Sequence, residues 1–115
     1  MKLALLKIPV HDLEAAIKFY AALFATEPVF AAEAYGWAQF DLGGLPLALY
    51  VPGMGGGDRA PGGSVDFHLA TSGADALAGR LSDFPDAGAG TFENADGSRS
   101  FECRDPSGNL LKIMG

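Results

Sequence analysis

The sequence is poor in cysteine, in basic residues and in long apolar runs. Cys103 is its only cysteine, so neither an internal disulfide nor a cysteine-based zinc site can form. Eight Lys and Arg stand against 14 Asp and Glu, for a net charge of −6, and an acidic protein repels the phosphates of nucleic acids. Lys7 and Pro9 interrupt the first apolar run, which is too short for a signal peptide or a membrane span. We therefore expect a cytoplasmic protein that binds neither nucleic acid nor membrane.

The overall composition indicates one folded domain with a glycine-rich interruption. Apolar residues make up 49% of the 115 residues and charged residues 19%, which is typical of a globular domain with one core. Residues 52–63, PGMGGGDRAPGG, form the one obvious linker. They lack the Lys-Ser/Thr pair of a phosphate-binding P-loop and lead into a predicted strand instead of a helix. The segment predicts a flexible connector, and a lid over a neighbouring site is one role for it.

The first half of the chain predicts a strand, a helix and three further strands. Apolar residues alternate over residues 3–10, as in a strand with one buried face. Asp12 suits a helix N-cap, and apolar residues recur at helical spacing from there to about residue 25. Gly43-Gly44 is a hairpin signal between the last two strands. The three strands after the helix are expected around 29–34, at Trp37–Leu42 and at Leu45–Val51.

The same order of elements begins again after the linker. A strand just past Ser64 is predicted to place Asp66 and His68 on one face and apolar residues on the other. Ser72, followed three residues later by Asp75, resembles the capping box of a second helix. Strands are then expected near 91–94, at Arg99–Arg104 and at Leu110–Met114. The chain therefore repeats itself with a period near 60 residues.

This duplication predicts an α+β fold made of tandem βαβββ repeats within a single domain, residues 1–115. The first repeat is expected at about 1–51, the linker at 52–63 and the second repeat at about 64–115. The helix of each repeat covers one face of a curved mixed sheet and leaves a concave pocket on the other face. Such a pocket is where a small molecule is expected to bind.

Two motifs carry a family resemblance. The first is Val10–Ala16, VHDLEAA, followed by Phe19-Tyr20; the second runs from Phe101 through the turn Asp105–Gly108. Together with the repeat they make the chain similar to the glyoxalase/bleomycin-resistance, or vicinal oxygen chelate, superfamily. The resemblance implies the fold described above. It leaves the reaction open, because that superfamily holds isomerases, dioxygenases, thiol transferases and metal-free drug-binding proteins.

The resemblance also implies where a metal would be held. Metalloenzymes of the superfamily place His, Gln or Glu at four pocket positions, and these fall on Leu5, Ala48, Asp66 and Lys112. Leu and Ala have no donor atom, and an ammonium repels a divalent cation. Only Asp66 is able to act as a ligand, and one ligand does not make a metal site. We therefore expect no metal and no cofactor.

Strand alternation and the resemblance give a set of candidate pocket residues. Asp66, His68 and Lys112 are the candidate catalytic groups, because a histidine beside an aspartate is able to act as a general base and Lys112 is expected on the same pocket face. The alternative is a structural role, in which Asp66 forms an ion pair with a lysine and His68 is an ordinary pocket histidine. The predicted ligand-binding residues are Leu5, Lys7, Trp37, Ala48, Tyr50, Asp66, His68, Lys112 and Met114.

Three functions remain open on the sequence. The first is a metal-free small-molecule binder that sequesters a drug or metabolite, and the acidic charge favours a cationic or aromatic ligand. The second is a lyase, isomerase or dioxygenase-type enzyme with a non-standard site around Asp66, His68 and Lys112. The third is a structural or regulatory dimer with a vestigial pocket. The resemblance implies a homodimer in each case.

Overall fold

The computed structural model describes residues 1–115 and contains two four-stranded sheets with one long helix and one short one. Helix α1 spans Leu13–Phe24 and helix α2 spans Leu77–Arg80. Neither helix has the length and apolar character needed to cross a membrane. The strands are β1 (Leu6–Pro9), β2 (Phe30–Ala32), β3 (Trp37–Leu42), β4 (Leu45–Tyr50), β5 (Leu69–Ala70), β6 (Gly90–Glu93), β7 (Arg99–Arg104) and β8 (Leu110–Met114).

The two sheets repeat one topology. The first has the order β1-β4-β3-β2 and the second the order β5-β8-β7-β6. In each, the first strand of the half pairs in parallel with the last, and the remaining neighbours are antiparallel. Each mixed sheet therefore has the strand–helix–three-strand order that the sequence predicts, and the predicted α+β fold is confirmed.

Helix α1 forms where the sequence favours it. The Asp12 side chain accepts a hydrogen bond of 3.1 Å from the backbone N–H of Ala15, which satisfies one free donor of the first turn. Ala25 caps the C-terminal end of the helix, and its φ of 54° lies in the left-handed region. Its buried face consists of Ala16, Phe19, Tyr20 and Leu23, and this face packs onto the sheet as the helical spacing predicts.

The second half departs from the prediction in two places. Ser64 bridges to Leu110, and Leu69 pairs with Ile113. Between these two pairings the segment 64–69 advances by five residues, whereas β8 advances by three. Two extra residues bulge out at 65–68, and the strand predicted just past Ser64 is reduced to Leu69–Ala70. The predicted capping box does not form, because a 3-10 turn at Ala74–Ala76 precedes a helix of only four residues and has no side-chain cap.

Both halves share one hydrophobic core. Buried residues of α1, β1, β3 and β4 form a continuous cluster with Leu77, Leu81, Phe101 and Ile113 of the second half. The Phe19 ring meets the Phe84 ring edge-on at a centroid distance of 5.3 Å, a favoured geometry for aromatic pairs. Neither half buries its apolar face without the other.

A buried carboxylate joins the two halves. Asp105 Oδ2 accepts hydrogen bonds from the Tyr20 hydroxyl at 2.7 Å and from Asn109 Nδ2 at 2.8 Å, and Oδ1 accepts from the backbone N–H groups of Ser107 and Asn109. Asn109 Nδ2 also donates to the Pro9 carbonyl at 2.6 Å. The β7–β8 turn is thereby fixed against α1 and β1. Burial raises the pKa of Tyr20 well above its usual value, and Asp105 raises it further, so the phenol stays a donor.

We predict that Tyr20→Phe lowers the free energy of unfolding by about 1–3 kcal/mol, because it removes a buried hydrogen bond to a charged acceptor. Urea denaturation of the variant measures the change. Tyr35→Phe is the matched control, since Tyr35 is 69% exposed and its substitution should change stability by less than about 0.5 kcal/mol. Equal stability of the two variants would contradict the structural role of the Tyr20–Asp105 bond.

Candidate functional site

The first sheet presents one face away from the core. Lys7, Ala48 and Gln39 are opposite one another in adjacent strands, and Tyr50 lies opposite Trp37 one row further along. Their neighbours in sequence point into the core, so these side chains share the open face. Ala48 and Tyr50 are nevertheless 0% and 2% exposed. Something other than the core covers part of this face.

The glycine-rich linker provides that cover. A Cβ atom added to Gly56 would lie 2.9 Å from the Trp37 ring and from Tyr50 Cβ, and one added to Gly57 would lie 2.7 Å from the Tyr50 ring. Only residues without side chains approach this closely. Lys7 Nζ donates a hydrogen bond of 2.6 Å to the Gly56 carbonyl and lies 5.1 Å from the centroid of the Tyr50 ring. The linker is therefore packed on the open face and fastened by Lys7.

A cavity of about 410 Å³ opens between β1 and the segment 57–67, and we call it the first cavity. Its walls bring together Lys7, Tyr50 and Asp66 with two charged linker residues, Asp58 and Arg59. Asp58 and Arg59 are not among the predicted site residues, although a charged pair within a glycine-rich linker is a usable signal. The remaining lining residues are Leu5, Leu6, Pro9, Gly57, Ala60, Gly63, Ser64, Val65, Phe67 and Asn109.

The other predicted site residues lie elsewhere. Trp37 borders a small recess with Tyr35 and Met54 at the far end of the open face. His68 borders a second cavity, on the side of β1 where the helices lie. The bulge at 65–68 explains this separation, because it breaks the alternation that was expected to hold Asp66 and His68 on one face.

Lys112 and Met114 lie on the open face of the second sheet. Lys112 Nζ donates to Asn94 Oδ1 at 3.2 Å and lies 4.9 Å from the centroid of the Phe92 ring. Lys112 is opposite Glu102 on β7, and Met114 is 42% exposed. Neither residue borders the first cavity. The structure therefore does not bring Asp66, His68 and Lys112 together as one catalytic group.

The residues at the superfamily's metal positions do not fit a divalent ion. Leu5 borders the first cavity with an apolar side chain, Ala48 has no donor, and Lys112 is bonded to Asn94. No three His, Cys, Asp or Glu side chains lie close enough to share an ion. Asp66 is the single oxygen donor among the four positions, and metal sites need three or more.

The single cysteine is not a nucleophile. Cys103 is 1% exposed on the core side of β7. Burial, together with the nearby Asp105 carboxylate, raises the pKa of its thiol to about 12. The thiol is therefore protonated at neutral pH, and the thiolate is the reactive form.

The repeated mixed sheets, the helix that covers each of them and the pocket on the open face define the glyoxalase/bleomycin resistance fold. The glyoxalase/bleomycin resistance protein of Catenulispora acidiphila DSM 44928 is 23% identical, with a TM-score of 0.75 over 98% of this chain and 97% of that one. A superfamily member from Sphaerobacter thermophilus DSM 20745 is 24% identical, with a TM-score of 0.76 over 99% and 96%. Lactoylglutathione lyase of Agrobacterium tumefaciens is 21% identical, with a TM-score of 0.78 over 98% and 92%.

The resemblance inferred from the sequence is thus confirmed at the level of the fold. The sequence itself matches no protein-family profile and shows no significant match to a curated protein. Fold alone does not specify chemistry, so the activity has to be argued from the side chains of this chain.

We predict that Gly56→Ala displaces the linker from the open face, because the added Cβ would overlap the Trp37 ring and Tyr50. Trp37 is the only tryptophan, so its emission should shift to the red and its quenching by acrylamide should increase. Gly63→Ala is the matched control, since an added Cβ meets nothing within 4 Å there. Identical Trp37 spectra for both variants would contradict the packing of the linker.

Proposed function

We propose that this protein binds a small organic molecule in the first cavity without the help of a metal. The observation that carries the proposal is the composition of the cavity and of the four superfamily metal positions. A cavity of about 410 Å³ is large enough for a small molecule, whereas Leu5, Ala48 and Lys112 supply no metal ligand. Sequestration of a drug or metabolite in the cytoplasm is the simplest activity for such a site.

The charges of the first cavity favour a planar cation as the ligand. Asp58 and Asp66 border the cavity, and neither forms an ion pair, since the one salt bridge of the protein joins Lys18 to Glu14. Arg59 and Lys7 also border the cavity, so its formal charges balance, and the preference for a cation rests on the two unpaired carboxylates and on the charge of the whole protein. The net charge of −6 adds a long-range attraction for cations.

Lys7 has a structural role at the border of the cavity. Its ammonium is already bonded to the Gly56 carbonyl and placed over the Tyr50 ring. It therefore holds the linker in place over the buried Tyr50, and the half-buried Phe67 gives the cavity an aromatic wall. A flat, positively charged molecule is then able to meet an aromatic surface and two free carboxylates together.

The enzymatic alternative has no comparable support. Proton transfer requires an acid and a base within hydrogen-bond reach of one substrate. Asp66 borders the first cavity, His68 borders the second, and Lys112 is bonded to Asn94 on the other sheet. The three groups therefore border no common cavity.

We predict that the double variant Asp58→Asn, Asp66→Asn binds ethidium, a planar cation, about five- to tenfold more weakly than the unaltered protein, because each exposed charge contact contributes up to about 1 kcal/mol. Ethidium fluorescence measures the affinity. The double variant Asp75→Asn, Asp83→Asn is the matched control, since it changes the net charge equally with residues that do not border the cavity.

Equal losses in the two double variants would show that net charge alone attracts ethidium. Absence of binding to the unaltered protein would contradict the cationic ligand. The same titration with EDTA should give an unchanged affinity, and Mn²⁺, Ni²⁺, Zn²⁺ and Fe²⁺ should leave the melting temperature unchanged. A stoichiometric metal that raises the melting temperature would overturn the metal-free proposal.

We also propose that the protein is a homodimer whose interface includes the open sheet faces. Phe30 at the edge of the first sheet is 50% exposed, and Phe92 and Met114 on the second sheet are 37% and 42% exposed. Exposed apolar side chains on the strands favour burial against a partner, and a second copy agrees with the resemblance.

We predict a dimer in sedimentation velocity at micromolar concentration. Phe30→Glu together with Phe92→Glu should shift the equilibrium toward monomer, because both charges would have to be buried in the interface. Leu3→Glu is the control, since Leu3 is 64% exposed outside the strands. A monomer at that concentration, or equal effects of all these substitutions, would refute the dimer.

A further inference from the structure

The second cavity has a different chemistry from the first. It encloses about 450 Å³ between the end of α1, the β3–β4 hairpin, β5 and α2. Only Leu6 borders both cavities, because β1 lies between them. Nine of the 13 lining residues are apolar. The cavity therefore offers a largely apolar surface, and transfer of an apolar chain or ring from water to this surface is favourable. Its main apolar walls are Leu23, Phe24, Leu42, Leu45, Leu69 and Ile113.

The polar groups of this cavity are basic or neutral. His68, Thr71 and Arg80 border it, and no aspartate or glutamate does. In a protein with 14 acidic and eight basic residues, the second cavity is thus free of the carboxylates that border the first. A positively charged ligand finds no counter-charge here, and a negatively charged one finds the guanidinium of Arg80.

The Arg80 guanidinium has N–H donors that form no hydrogen bond within the protein. Its Nη1 donates a bond of 3.2 Å to the Leu23 carbonyl in the last turn of α1, and no carboxylate lies within ion-pair distance. A guanidinium carries five N–H donors in a planar fork, and this fork matches the two oxygens of a carboxylate. The bond to Leu23 orients the side chain at the border of the cavity while other N–H groups stay available.

We propose that the second cavity binds a small amphipathic carboxylate, with its apolar part among the leucines and its carboxylate on Arg80. His68 and Thr71 lie at the same border and supply further hydrogen-bond donors to the carboxylate. This site is separate from the proposed site for a planar cation, and the two differ in the sign of charge that they select.

Isothermal titration calorimetry with octanoate tests the proposal. The Asp58→Asn, Asp66→Asn variant, whose first cavity lacks both carboxylates, should bind octanoate more tightly than 1-octanol, and 1-octanol more tightly than octyltrimethylammonium. Shortening the carboxylate to hexanoate should weaken binding about fourfold for each methylene removed, which is the transfer free energy of one buried CH₂ group. A preference for the ammonium over the carboxylate would overturn the assignment.

Arg80→Gln separates the binding role from the structural one. It should weaken octanoate binding by about tenfold or more and leave 1-octanol binding within about twofold, because only octanoate uses the charge. Arg80→Lys should keep part of the preference for octanoate. Arg99→Gln, with the same change of charge outside the cavity, should leave both affinities unchanged. Equal weakening of octanoate and 1-octanol in Arg80→Gln would show that Arg80 only supports α1, and would refute the proposal.

A second pair of variants does not depend on the bond between Arg80 and α1. Ala70 is exposed and borders the second cavity. Ala70→Asp should abolish the preference for octanoate, because the new carboxylate repels it, whereas Ala70→Asn should retain the preference. Identical affinities in the two variants would contradict a carboxylate site. The Asp58→Asn, Asp66→Asn variant should bind octanoate normally, so failure at the first cavity is distinguishable from failure at the second.

Discussion

The buried carboxylate of Asp105 is the constraint on which the rest of the structure depends. It accepts four hydrogen bonds, from the Tyr20 hydroxyl, from the backbone of Ser107, and from the backbone and side chain of Asn109. A buried charge without such partners is strongly destabilising, so the β7–β8 turn has to dock where α1 supplies Tyr20. The turn Asp105–Gly108, which carries part of the family resemblance, therefore has a physical role: it orients one half of the chain against the other.

The position of the linker follows from that docking. Asn109 holds β1 through the Pro9 carbonyl and the end of the linker through the Gly62 N–H, at 2.6 and 2.8 Å. The other part of the linker is held by Lys7 at the Gly56 carbonyl. With both parts fixed, the segment crosses the open face so closely at Gly56 and Gly57 that only glycine fits at these two positions. The glycine content that predicts flexibility in the sequence serves close approach in the folded protein.

Periodicity predicted the elements that obey it and failed where it is broken. Alternation along β1 and β4 correctly grouped Lys7 with Tyr50, and Asp12 with the helical spacing after it located α1. The two-residue bulge at 65–68 has no signature in an alternating sequence, so the placement of His68 beside Asp66 was wrong. Strand register predicts the face on which a residue lies but not the distance between two sheets. The sequence therefore could not show that Lys112 lies away from the first cavity. Asp58 and Arg59 lie in a segment without periodicity, and only the fold brings them to the cavity.

The two cavities lie on opposite sides of β1 and are bordered by different charged residues. The net charge of −6 acts on both cavities alike, yet exposed charges are screened beyond about 8 Å at physiological ionic strength. The charged groups that border each cavity therefore act at closer range than the net charge: Asp58 and Asp66 with Lys7 and Arg59 on one side of β1, and Arg80 without any carboxylate on the other.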